Sequence, residues 1–181
     1  MPKILQKDSQ VLRKHALEVN RKDMQSARIK KIVADMKNAL YAEDDGIAIA
    51  APQIGVSMRI FIVSGKFFYL EKNKDELRDI EFEAADEKEF RKKDIVFFNP
   101  IIIKSSRKKI WETEGCLSVR WKYGETHRSA QVTIRAYNEN GILIERGASG
   151  LLAQIFQHEI DHLNGILFTD NAKNIKEIKD K

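Results

Sequence analysis

The densest chemistry in the chain lies in one hexapeptide, Gln157-His158-Glu159-Ile160-Asp161-His162. On a helix, a spacing of four residues turns both imidazoles to one face, within reach of a single metal ion. Glu159, next to the first histidine, can then contact a water on that metal. Two histidines on an amphipathic helix can also be buried and hydrogen-bonded without a metal. A core helix, however, has little reason to turn two imidazoles and a carboxylate inward unless something satisfies them.

Two imidazoles leave a tetrahedral hydrolytic site one protein ligand short. A third histidine ten residues after His158 would complete one metalloprotease pattern, and Gly165 matches its glycine, but that position is Phe168. No histidine follows His162, and the downstream carboxylates are Asp170, Glu177 and Asp180 near the chain end. The upstream candidate is Cys116, the only cysteine, 42 residues before His158 in Glu114-Gly115-Cys116-Leu117-Ser118. A lone cysteine is most often a small buried hydrophobe, but its thiolate is a strong metal ligand, and Gly115 lets backbone approach a site closely.

Elements that could position these groups follow from hydrophobic spacing. A helix is expected from Ser149 to Asn164, where Leu151, Ile155, His158 and His162 form one stripe and Gly165 stops it. A second is expected from about Ser26 to Tyr41, with Ile29, Ile32, Val33, Met36 and Leu40 behind a Ser26 cap. Arg59 to Val63 and Ile95 to Ile103 read as buried strands, and Lys108 to Thr113 as a more polar one. Gln131 to Tyr137 alternates and reaches Ile142 to Arg146 through Asn138-Glu139-Asn140-Gly141, which is a hairpin signal. Residues 66–94 are charge-dense and read as a solvated, partly helical insertion; the tail from 171 to 181 reads as polar, frayed or weakly helical.

The chain has 181 residues, 43% hydrophobic and 33% charged, enough for one domain over 1–181 with its own core. Apolar runs are too short to span a bilayer, and the N-terminus carries neither a signal core nor a transit-type composition, so a cytoplasmic protein without membrane contact is expected. The net charge is +5, and residues 1–31 alone hold nine basic and three acidic side chains. A basic end can touch nucleic acid or a ribosome. No aromatic residue lies among those charges as a stacking platform, so a solvated face is expected, with no specific nucleic-acid partner and at most a transient ribosome contact.

Three blocks, in this order, resemble the peptide deformylases, which remove the N-formyl group from newly made proteins: Gly46-Ile47-Ala48-Ile49-Ala50-Ala51-Pro52-Gln53, Glu114-Gly115-Cys116-Leu117-Ser118, and Gln157-His158-Glu159-Ile160-Asp161-His162-Leu163-Asn164-Gly165. The resemblance extends over nearly the whole chain apart from 66–94 and the tail. It implies an α+β fold, with antiparallel strands around a central metal-binding helix that carries the His-Glu-x-x-His motif, and an N-terminal helix. It also implies Cys116, His158 and His162 as ligands to Fe(II), often replaced by zinc, nickel or cobalt. Spacing alone does not name the metal. By the same resemblance Glu159 is the general acid–base, the Gln53 side-chain amide and the Leu117 backbone N–H serve the oxyanion, and Gly46, Ile47 and Ala48 pair with the backbone of an N-formylmethionyl peptide. Ile49, Leu151 and Ile155 are candidates for the methionine pocket.

The chain departs from the family pattern at Ala48, where glycine is usual, at Ile49, where leucine is usual, and after Ser118, where Val119-Arg120-Trp121 lacks a frequent proline. A methyl at 48 would narrow the cleft. Two rivals are a zincin-like metallopeptidase, against which Cys116 in its Gly-Cys-Leu setting argues, and a basic ribosome- or nucleic-acid-binding module with a structural metal. The latter would have no use for Glu159 beside an open coordination position.

Overall fold

The computed structural model describes residues 2–73 and 84–178. Among the described residues four α-helices, α1 (Ala27–Tyr41), α2 (Gly65–Lys72), α3 (Ala84–Lys92) and α4 (Gly150–Leu163), are interleaved with eight strands. These are β1 (Ala48–Ala50), β2 (Ile60–Val63), β3 (Ile95–Ser105), β4 (Lys109–Gly115), β5 (Lys122–Ser129), β6 (Gln131–Tyr137), β7 (Leu143–Ser149) and β8 (Lys173–Glu177). These strands pair antiparallel, in a five-stranded sheet ordered β1-β2-β3-β6-β7 and a three-stranded sheet ordered β4-β5-β8. The fold is thus mixed α and β with antiparallel sheets.

The period-2 geometry of strands explains how the larger sheet buries both faces. Phe61, Val63 and Phe97 point to one side and pack with Phe156, Ile155 and Ile160 of α4. The Phe61 and Phe97 rings stack at 4.7 Å, and Phe156 meets Phe97 edge-on at 5.3 Å. Ile60, Ile62, Val96 and Phe98 point to the other side, against Ile29, Val33, Met36 and Leu40 of α1. The α1 stripe falls at spacings of four, three and four, and Ser26 Oγ accepts the Ile29 N–H at 3.3 Å as its cap. Helix α4 also reaches β5 of the smaller sheet. It ends at Asn164, and Gly165 takes φ +76°. A side chain there would meet the Arg13 carbonyl at 2.7 Å, so both conformation and space require glycine.

Several expectations are corrected. Strand β3 is not buried throughout: its ladder with β6 shifts register after Phe98 and after Ile102, and Ile101 and Ile102 are exposed. Asn99, at φ +49°, marks the irregularity, and its side chain is held at 2.8 Å to both the N–H and the carbonyl of Val19. The charged segment 66–94 is anchored at its ends: Phe67 packs in the α4-side core, Phe90 is buried, and buried Asp94 accepts the Gly65 N–H at 2.9 Å and the Tyr41 hydroxyl at 2.7 Å. Its middle, 74–83, lies outside the described residues, as do 179–181. The tail is not frayed or helical from 173 to 177 but forms β8 on the edge of β5, because backbone pairing asks little of side-chain composition. Among the described residues, no helix is long and apolar enough to cross a membrane.

Candidate active site

Helix α4 carries His158 and His162 one turn apart, and Cys116 follows directly on β4. One ligand atom from each of these three residues lies within 4.8 Å of the others. Cys116 Sγ is 3.2 Å from His162 Nε2. His158 Nδ1 is 2.9 Å from Glu114 Oε2. A carboxylate only accepts, so that nitrogen carries the proton and Nε2 keeps its lone pair for the cluster.

Glu114 is itself fixed from three directions. Arg128 reaches it through Nε at 2.6 Å and through its other terminal nitrogen at 2.9 Å, and Thr126 Oγ1 donates at 2.7 Å. Arg128 also bonds Asp161 at 2.6 Å, one residue before His162. Burial pushes the Glu114 pKa up, but the hydrogen bonds from Arg128 and His158 outweigh it and hold the carboxyl well below the usual range. Burial likewise opposes ionisation of Cys116, yet its imidazole neighbours, His162 first and then His158, bring its thiol down to about 5. Glu159 is pushed up to about 7, chiefly by burial, against the pull of the two histidines. One of its carboxylate oxygens and His162 Nδ1 are buried without a hydrogen-bond partner among the described residues. A sulfur ready to ionise, two imidazole nitrogens and an orphaned carboxylate oxygen fit a divalent ion with water beside it.

Cys116, His158 and Glu159 line the floor of a cleft of about 310 Å³. Gln53 enters it from a short 3₁₀ turn, Ala51–Ile54, that follows β1. Its Oε1 accepts the Ala50 N–H at 2.8 Å, which aims Nε2 at the opposite wall, 3.1 Å from Ser118 Oγ and 3.8 Å from Cys116 Sγ. Leu117 lines the cleft beside Cys116. Ile47 and Ala48 line it too, whereas Gly46 is buried behind them, where a Cβ would meet the Leu40 carbonyl at 2.7 Å. Strand β1 is an edge strand. Ile47 C=O accepts the Ser64 N–H at 2.9 Å, so alternation turns the N–H and C=O of Ala48 away from β2, toward the cleft.

Of the pocket candidates, Leu151 and Ile155 line the cleft, but Ile49 does not: it is fully buried on the α1 side of the sheet, and Ile47 takes its place. Sequence spacing does not reveal the parts played by Arg128, Thr126 and Ser118. Arg128 sits in a run of polar residues, and only its cross-strand pairing would have placed it over Glu114. The distance between the blocks along the chain hid that Ser118 meets Gln53.

Comparison with known proteins accounts for this assembly. The family model described as "Polypeptide deformylase" matches residues 1–177. A peptide deformylase of Roseiflexus sp. (strain RS-1) is 40% identical over 153 residues, covering 84% of this chain and 77% of that protein. The crystal structure of a peptide deformylase from Legionella pneumophila matches with a TM-score of 0.76 at 33% identity, over 96% of this chain and 87% of that one. A Met-Ala-Ser-bound class I type b peptide deformylase from Acinetobacter baumannii matches with a TM-score of 0.74 at 27% identity, over 93% and 96% of the two chains. With sequence and fold similar along nearly its whole length, the chain belongs to the polypeptide deformylase family of hydrolases.

Proposed function

We propose that the chain, acting as a single catalytic domain, removes the N-formyl group from the formyl-methionine of nascent polypeptides and releases formate. The observation that carries this reading is the buried Glu159 carboxyl, with one unpartnered oxygen, beside the Cys116, His158 and His162 donors in a cleft that the Gln53 amide also enters.

Cys116, His158 and His162 would hold the metal; Fe(II) is proposed, with zinc, nickel or cobalt able to substitute. Bound there, a divalent ion supplies Lewis acidity that lets water ionise near neutral pH. Glu159, placed near neutrality by its burial, takes the proton of the attacking water and delivers it to the methionine nitrogen as the formyl C–N bond breaks. The negative charge that develops on the formyl oxygen is met by the Gln53 amide and the Leu117 N–H. Gly46 and Ile47 lead into the free edge of β1, where the Ala48 N–H and C=O face the cleft and a peptide backbone adds as a further strand, so residues beyond methionine are read mainly through main-chain bonds. Ile47, Leu151 and Ile155 offer the methionine side chain an apolar wall. The Acinetobacter relative, crystallised with Met-Ala-Ser, supports a substrate of that type.

The test is formate release from formyl-Met-Ala-Ser by anaerobically purified protein loaded with iron, nickel, cobalt or zinc. Turnover with at least one metal is expected. Its absence with all four would overturn the reading.

A further inference from the structure

Beyond the catalytic groups, the mouth of the cleft is tied across by one side chain. Arg120 follows the Cys116 loop, and its guanidinium leaves that wall to meet the opposite one. One terminal nitrogen bonds both carboxylate oxygens of Asp45, at 3.1 and 2.8 Å, and the other bonds Glu43. Asp45 and Arg120 both line the cleft. The Arg120 side chain is only 21% exposed, and its guanidinium lies 5.5 Å from the ring centroid of Trp121, which takes φ +63°. The backbone beneath is bracketed by Gln6, whose Oε1 accepts the Arg120 N–H at 3.4 Å and whose Nε2 donates to the Leu117 carbonyl at 3.1 Å.

The far end of the tie stands on a hydrogen-bonded turn. Glu43 N–H donates to the Leu40 carbonyl at 3.3 Å and Gly46 N–H to the Glu43 carbonyl at 3.0 Å. A tight turn therefore links the two carboxylates to the end of α1 and, two residues on from Asp45, to Ile47 at the start of the cleft edge. A planar fork gripping two carboxylates on such a turn restrains where that edge stands.

We propose that Arg120 is a specificity-determining positioning residue for this chain: by clasping Glu43 and Asp45 it sets the separation of the two cleft walls, and so how well peptide residues beyond the first are held. The inference rests on the deformylase reading. Arg120 touches no reacting atom; it acts through the edge that pairs with the peptide. Its loss would also leave two carboxylates unneutralised at the mouth, which favours a basic peptide over an acidic one.

The test compares metal-loaded wild type, Arg120→Ala, Arg120→Lys, Glu43→Gln/Asp45→Asn and the combined triple variant. Formate release is measured on formyl-Met-Ala-Ser, on formyl-Met-Ala-Lys and formyl-Met-Ala-Glu, and on formyl-methionine amide, which has no second residue. Partly exposed ion pairs give modest effects, so KM for formyl-Met-Ala-Ser should rise about 3- to 10-fold in Arg120→Ala, with kcat within about twofold. The amide should change little, and the Lys peptide should gain on the Glu peptide. Lysine cannot reproduce the fork and should rescue only in part. Adding the carboxylate changes to Arg120→Ala should raise KM no further, since both remove the same clasp. Raising NaCl from about 0.05 to about 1 M, where screening shortens to about 3 Å, should weaken wild type toward the variant and leave the variant nearly unmoved. Unchanged KM in Arg120→Ala, or an equal loss on the amide and the peptide, would overturn the clasp while formate release by wild type upheld the deformylase reading. No formate from wild type would overturn both.

Discussion

Glu114 Oε2 and His158 Nδ1 stand 2.9 Å apart, and the same carboxylate is gripped twice by Arg128. The pair fixes the ring of one proposed metal ligand and leaves its other nitrogen directed at Cys116. Removing Glu114 therefore does two things at once: it frees the imidazole and leaves Arg128 buried with half its partners. Glu114→Ala is expected to weaken metal binding about 10- to 100-fold and to destabilise the fold by roughly 3–5 kcal/mol. Metal titration and urea unfolding check the two effects separately. A variant with native metal affinity would show that the ring needs no such anchor.

Gln53 is held by its carbonyl oxygen to the Ala50 N–H, so its amide nitrogen points across the cleft before any substrate arrives. Gln53→Ala is expected to lower kcat by about 10²- to 10³-fold, as for loss of one oxyanion donor. Steady-state kinetics decide it. A loss confined to KM would make Gln53 a positioning residue.

Ala48 has the ordinary negative φ of a strand, pairs with Val63, and belongs to the α4-side core with Phe61 and Ile155. No left-handed backbone calls for glycine there, and the methyl fills core space rather than straining the chain. Ala48→Gly should therefore cost about 0.5–1 kcal/mol of stability and leave kcat/KM unchanged or lower. A rise in kcat/KM for formyl-Met-Ala-Ser would show that the methyl crowds the cleft.

Tyr41 donates to Asp94 at 2.7 Å and accepts from Ser64 at 2.9 Å. Burial, reinforced by the Asp94 carboxylate, raises its phenol above the ordinary range. A group whose folded pKa is raised contributes stability that is complete below the unfolded value, near 10, and is lost as pH climbs past it. Tyr41→Phe should cost about 1–3 kcal/mol at neutral pH, and the gap to wild type should narrow above about pH 10. Denaturant unfolding across that range measures it; a constant gap would show that the phenol ionises in place.

Much of this site was legible in the sequence because helical spacing is strict. His158 and His162 share a face wherever a helix forms, and the stripe beneath them announced the helix. Cys116 was legible by residue type, being the sole thiol in the chain. What stayed hidden depended on pairing between distant segments. Arg128 reaches Glu114 only because Ile110↔Arg128 through Glu114↔Gly124 align in one ladder, and residue alternation in Lys122–Ser129 is masked by charges on both faces. Strand β1 has only three residues, all small or aliphatic, too few to show a period. The β8 edge is recognised by backbone geometry, on which Lys173–Glu177 leaves no hydrophobic mark.

The central claim is that Cys116, His158 and His162 hold the metal while Glu159 handles the proton. Parallel assay of metal content and formate release in Cys116→Ala and Glu159→Ala tests it most directly. Cys116→Ala should lose stoichiometric metal and activity together. Glu159→Ala should keep one metal per chain yet lose about 10²- to 10⁴-fold in turnover. A Cys116→Ala protein with one tight metal and unchanged activity, or a Glu159→Ala protein turning over near the wild-type rate, would contradict the account.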